Sequence, residues 1–261
     1  MKTPRLGWRF VAASALSMSL FIAARPAEGT RAAPEVERGR RIYHRACAPC
    51  HGGDGRGDGP TARALDIAPR NLTLGVYRFR TTASGALPTD ADLARTVRYG
   101  IPGTDMPAWG QVLPERDIDA AVAYIKTFSA RFAAEAPGQP VTFPAGVADS
   151  DAAREQGRAL YAKMQCASCH GEGGRGDGPS MPGLRDEEGR SLPAADLTRP
   201  EYKGGWKPQD VERAILTGLD GAAMPSYASA LTPDEVSALA RYVLSLRRER
   251  GLLGWLTETV R

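Results

Sequence analysis

Apolar residues recur at helical spacing in four stretches of this 261-residue chain, and no run alternates convincingly enough for a strand. Two of these stretches open similar segments. VERGRRIYHRA places Gly39 and Tyr43 four residues apart, and AREQGRALYAKMQ does the same with Gly157 and Tyr161, so each pair shares one helix face. The other two stretches close those segments. Ile118, Ala121, Val122 and Ile125 follow Pro114, while Val236, Leu239, Ala240 and Val243 follow Thr232–Pro233–Asp234–Glu235. That tetrapeptide reads as a capping box with proline at the first helical position. The pattern predicts an all-α fold.

The helices belong to a repeat. CAPCHGGDGRGDGP (47–60) returns as CASCHGEGGRGDGP (166–179), 119 positions later. RNLT (70–73) pairs with ADLT (195–198), DLARTVRYGIPGTDMP (92–107) pairs with DVERAILTGLDGAAMP (210–225), and Tyr124 pairs with Tyr242. Between the halves, AAEAPGQPVTFPAGVADS is rich in Pro, Gly and Ala and reads as a linker. The expected organisation is a leader over 1–32, a first domain over 33–132, a linker over 133–150, a second domain over 151–248 and a tail over 249–261. Each domain has few helices and much loop, so an apolar core alone would be thin and a covalent or cofactor staple is expected.

Composition changes this picture little: 42% hydrophobic and 25% charged residues suit a globular protein. The formal charge of +4 belongs to the leader. There, basic Lys2, Arg5 and Arg9 precede an apolar run from Phe10 to Ala24, followed by small residues, which reads as a secretory signal. An uncleaved membrane anchor is the alternative reading, and the absence of cysteine there excludes a lipoprotein anchor. Residues 1–32 hold five basic groups and one acid, so their removal leaves 29 of each sign. No basic footprint for nucleic acid remains. Export places the protein in the periplasm.

All four cysteines lie in the repeated stretch. Zinc ligands of the CxxC…CxxC kind sit closer together within one module, and a thioredoxin-like site needs a βαβ context. Disulfides within each pair would close very tight loops and leave the following histidine unexplained. Covalent c-type haem accounts for every residue: two thiols that add to haem vinyl groups, and a histidine that meets the iron. This assigns Cys47, Cys50 and His51 to one haem and Cys166, Cys169 and His170 to a second.

Each iron still needs a sixth ligand. Met106 and Met224 both precede proline, follow their own histidine by 55 and 54 residues, and occupy equivalent places in the repeat. Met181, also before proline, lies 11 residues past His170 and has no partner in the first half. His44, the one remaining histidine, has no counterpart in the second half and reads as a helix-surface residue. Arg70, Arg78 and Arg80 suit either haem propionates or a solvated loop.

With these motifs in place, the chain resembles a diheme class I c-type cytochrome over roughly residues 35–130 and 151–248. The resemblance implies two tandem domains, each a few helices wrapped around a covalently bound haem c. It places Gly39/Tyr43 and Gly157/Tyr161 where the first and last helices of each domain cross, facing Tyr124 and Tyr242. Two six-coordinate His/Met irons imply an electron carrier without catalytic residues. Its partners would be redox proteins: a dehydrogenase or quinol-oxidising complex as donor and an oxidase or reductase as acceptor. The alternatives are a subunit held in a larger respiratory complex or a diheme enzyme such as a peroxidase or thiosulfate-oxidising cytochrome. The tail, with Leu252, Leu253, Trp255 and Leu256 beside basic residues, suits peripheral membrane contact or simple packing.

Overall fold

A computed structural model describes residues 29–142 and 146–248. The leader run and the C-terminal tail lie outside the described residues. Among the described residues the structure is helical, with two isolated bridges, Thr82 to Pro140 and Arg185 to Ser191, in place of strands.

The first half contains α1 (Gly29–Ala46), the single turn α2 (Ala48–His51), α3 (Asp90–Tyr99), α4 (Glu115–Lys126) and the short α5 (Arg131–Ala134). The second repeats the plan with α6 (Asp151–Lys163), α7 (Ala167–His170), α8 (Pro208–Thr217) and α9 (Pro233–Ser245). Local chemistry explains the helix starts. Thr89 and Asp92 form a capping box at α3, Thr232 and Glu235 form the one expected at α9, and the Ser150 side chain accepts from Ala153 N–H at α6.

In each half the first helix crosses the last at a glycine. A Cβ built on Gly39 would overlap the Ala120 carbonyl oxygen, and one on Gly157 would overlap that of Ala238. Without side chains there, α1 and α6 approach the backbones of α4 and α9 directly. One turn on, Tyr43 meets Tyr124 with ring centroids 5.4 Å apart, and Tyr161 meets Tyr242 at 5.3 Å. Ile42, Tyr43, Leu93, Val97, Ile118, Ala121 and Ile125 fill the first core. Leu160, Tyr161, Val211, Ile215, Val236, Leu239 and Val243 fill the second. Apolar burial drives both, but each core is small for its chain length.

The segment expected to link the halves is laid upon them. Gly138 N–H donates to Leu87 O at 3.1 Å and Val141 N–H to Thr81 O at 2.8 Å. Farther on, Arg241 donates to Val147 O at 3.2 Å.

The halves meet through an arginine-rich face of the first. Arg80, with no solvent exposure, donates to Thr217 O at 3.0 Å and pairs with Asp220 at 2.8 Å. Asp220 also accepts from Ser84 Oγ and Gly85 N–H, each at 2.9 Å. Arg78 donates to Gly221 O at 2.9 Å. Arg70, Arg78 and Arg80 are thus not loop residues in solvent: they bind the second half's backbone and carboxylates. Among the described residues, the equivalent face of the first half is not covered in this way. Tyr99 is 67% exposed where its repeat equivalent Thr217 is 1% exposed. A Cβ on Gly103 would meet open space, whereas one on the equivalent Gly221 would strike Glu187 and Val76.

Candidate functional site

Each CxxCH segment forms one helical turn. His51 N–H donates to Cys47 O at 2.8 Å, and His170 N–H donates to Cys166 O at 2.9 Å. The turn brings both cysteines and the histidine of each motif onto a single short element, α2 or α7. Gly52 and Gly171 follow, at φ 79° and 78°, where a side chain would also overlap the carboxylates of Asp58 and Asp177. The repeated GDG stretch then folds back. Gly57 and Gly176 N–H groups donate to His51 O and His170 O, each at 2.8 Å. Gly59 and Gly178 N–H groups bond the carbonyls of Cys50 and Cys169.

None of the four cysteines is joined in a disulfide. Burial, reinforced by the neighbouring Cys50, pushes the Cys47 thiol up to about 11, and burial also pushes Cys166 to about 11. Among the described residues no three His, Cys, Asp or Glu side chains converge as an ion-binding group. The two CxxC pairs therefore stand in separate sites.

The imidazoles are held for ligation. His51 Nδ1 lies 3.1 Å from Arg70 O, and His170 Nδ1 lies 2.9 Å from Ala195 O. A carbonyl only accepts, so Nδ1 carries the proton and Nε2 keeps its lone pair. Burial lowers both histidine pKa values and favours the neutral ring; at His51 the Arg70 carbonyl partly opposes this, while the Arg70 cation adds to it. A buried imidazole with one nitrogen committed to a carbonyl is the arrangement that metal-bound histidines use. The donor set of two thiols and an oriented imidazole suits covalent haem in both halves.

Met106 and Met224 sit on matching loops. Their carbonyls accept from Ile101 N–H at 3.0 Å and Leu219 N–H at 3.1 Å, closing each loop onto the end of α3 or α8. Gly100 and Gly218, both at φ 65°, make that closure; a Cβ there would overlap the backbone around Met106–Ala108 or Met224–Ser226. Both methionines are partly buried, and Met224 packs on the second core. Met181 occupies a separate short 3₁₀ turn, Met181–Gly183, pinned by its own N–H to Gly178 O at 3.0 Å. His44 lies on the exposed side of α1, with Nε2 3.4 Å from the Tyr124 hydroxyl.

Sequence reasoning did not single out the carbonyls of Arg70 and Ala195, the loop-closing Gly100 and Gly218, or the hydroxyl bonds of Tyr43 and Tyr161. A signal existed for the glycines and tyrosines, since each pair occupies equivalent repeat positions. The carbonyls carry none, because any residue supplies one.

Comparison with known proteins agrees with this geometry. The family described as cytochrome c oxidase, cbb3-type, subunit III matches the chain twice, over residues 34–125 and 152–243. The cbb3-type cytochrome c oxidase subunit FixP of Azorhizobium caulinodans is 27% identical over 215 residues, covering 80% of this chain and 58% of that protein. Subunit CcoP of Rubrivivax gelatinosus is 25% identical over 222 residues, covering 85% and 58%. This chain thus spans less than two thirds of the length of those relatives. A solved chain from the reducing HAO-like protein complex of Kuenenia stuttgartiensis superposes with a TM-score of 0.79 at 41% identity, covering 81% of this chain and 96% of that one.

Proposed function

That the chain belongs to the cytochrome c oxidase, cbb3-type, subunit III family is the premise from which we propose its function: a periplasmic relay of single electrons through two His/Met-ligated sites. It is a diheme c-type cytochrome of two tandem domains, with two covalently bound haem c groups, and an electron carrier rather than an enzyme. Haem c supplies the one-electron Fe(III)/Fe(II) couple when bound.

The chain's own residues do the rest. Cys47 and Cys50, and Cys166 and Cys169, are the thioether attachment points. His51 and His170 would hold the two irons through Nε2, and Met106 and Met224 would supply each iron's second protein ligand. The carbonyls of Arg70 and Ala195 keep the proton on Nδ1 and aim Nε2. The apolar cores exclude water, and thioether ligation raises the potential relative to a second histidine. The observation that carries this reading is the twice-repeated Nδ1-to-carbonyl hydrogen bond directly after a pair of unbridged thiols. Haem staining of a denaturing gel with intact mass tests it: two covalent haems per chain support it, and one or none overturns it.

A second reading places the chain as a subunit of a larger redox complex. The observation favouring it is the likeness to a solved chain that belongs to such a complex and is covered over 96% of its length. Gentle purification from native membranes separates the two, since a fixed subunit co-elutes with its partners and a free carrier elutes alone. In either case the partners are redox proteins, one supplying electrons and one accepting them.

A further inference from the structure

The loop that orients the first imidazole is tied to the second domain, and one side chain stands at the centre of the tie. Arg70 supplies the carbonyl that faces His51 Nδ1, and its guanidinium ion-pairs with Glu187; their side chains are only 17% and 12% exposed. The other carboxylate oxygen of Glu187 lies 3.4 Å from Arg78 Nη2. That same nitrogen donates to Gly221 O at 2.9 Å, three residues before Met224. Glu187 also packs on Gly221 directly, since a Cβ there would overlap its Oε2. Asn71 adds a second stitch next to Arg70, donating to Glu188 at 3.0 Å.

Other charges nearby do not duplicate this role. Asp186 is 4.0 Å from Arg78 but is held by Arg190 at 2.7 Å. In the second domain the carbonyl that faces His170 belongs to Ala195, whose side chain has no charge to pair. The tie is therefore an addition to the repeat, made in one direction only.

We infer that Glu187 is a positioning residue that couples the two ligand loops, holding through Arg70 the carbonyl that orients His51 and through Arg78 the backbone that presents Met224. The inference rests on the proposed His/Met sites. It has a mechanical and an electrostatic consequence. Loss of the carboxylate frees both loops at once, because each is held by an arginine that shares it. It also removes one negative charge from beside two partly buried cations, which favours the less positive reduced state.

The test uses the holoprotein as wild type, Glu187→Gln and Arg70→Ala. Amide exchange read by mass spectrometry covers residues 70–74 and 219–225, and a spectroelectrochemical titration gives both potentials. Glu187→Gln should speed exchange in both loops by about tenfold, the order of one lost charged hydrogen bond, and raise the potentials. Arg70→Ala, which gives the first domain the residue the second already has, should speed exchange in 70–74 alone and lower the first potential. Exchange and potentials in Glu187→Gln within about twofold and unshifted from wild type would overturn the inference, as would a change confined to one loop. Should Glu187→Gln not accumulate, the Arg70→Ala pattern decides: no local change and no fall in potential counts against it. Failure of the underlying ligand reading shows separately, as a wild-type oxidised spectrum lacking the methionine–iron band.

Discussion

Tyr43 donates a hydrogen bond of 2.8 Å to the carbonyl of Gly52, pinning the first helix to the turn just past the first histidine. Tyr161 makes the same 2.8 Å bond to Gly171. Burial raises both phenol pKa values, so each hydroxyl stays protonated and remains a donor. Tyr43→Phe should leave the Gly52 carbonyl unpaired at a cost of about 1–3 kcal/mol. The readout is the denaturant midpoint of the holoprotein, with an unchanged midpoint meaning that water replaces the phenol.

The helix crossings make a prediction with opposing terms. Alanine favours a helix interior over glycine by up to about 1 kcal/mol, so Gly39→Ala and Gly157→Ala would stabilise an isolated helix. In the fold, the added methyl overlaps a carbonyl oxygen on the facing helix. Overpacking of this kind costs roughly 1–3 kcal/mol, so both variants should be less stable than wild type. A gain in thermal stability for either would show that the helices separate at little cost.

Iron ligation is tested by the methionines. Met106→Ala and Met224→Ala should each remove half of the near-infrared methionine–iron band of the oxidised protein. Each should also lower one potential and open that site to carbon monoxide. Met181→Ala should do none of these. If Met181→Ala removes the band and Met224→Ala leaves it, the second thioether ligand has been misassigned.

Under the proposed ligation, with a histidine and a methionine on each iron, peroxide, nitrite and thiosulfate would find no place to bind. Wild-type protein should turn over none of them appreciably, yet exchange electrons quickly with small redox partners. His44, on the exposed side of α1 beside Tyr124, is the residue to replace if turnover is found. Activity lost in His44→Ala would make it catalytic and the protein an enzyme.

The helices and their repeat were legible because they rest on period and motif. Val236, Leu239 and Val243 announce α9, and Thr232 with Glu235 marks its start, as the structure shows. The helix crossing was an implication of the family resemblance rather than of spacing, and the glycine and tyrosine shared by both halves do stand there. The arginines were not legible. Arg70 and Arg80 fall opposite Ala195 and Gly205, only Arg78 has a charged equivalent in Lys203, and the acceptors of all three are distant: Glu187, the Gly221 carbonyl and Asp220. Contacts spanning more than a hundred residues leave no periodic trace. The orienting carbonyls were invisible for a simpler reason, since backbone atoms do not vary with the letter written.

The uncovered Gly103 face has a consequence of its own. The first domain grips the second by its Met224 loop, and nothing among the described residues grips the first domain's equivalent loop in return. Such an unreciprocated, heterologous contact gives the molecule a head and a tail. Arg78, Val76 and Glu187 lie against the Gly221 end of the Met224 loop, whereas among the described residues a Cβ on Gly103 of the Met106 loop would meet no atom within 4 Å. Under the proposed ligation, two copies of one site then have different neighbours, and charges fixed beside only one of them set the two potentials apart.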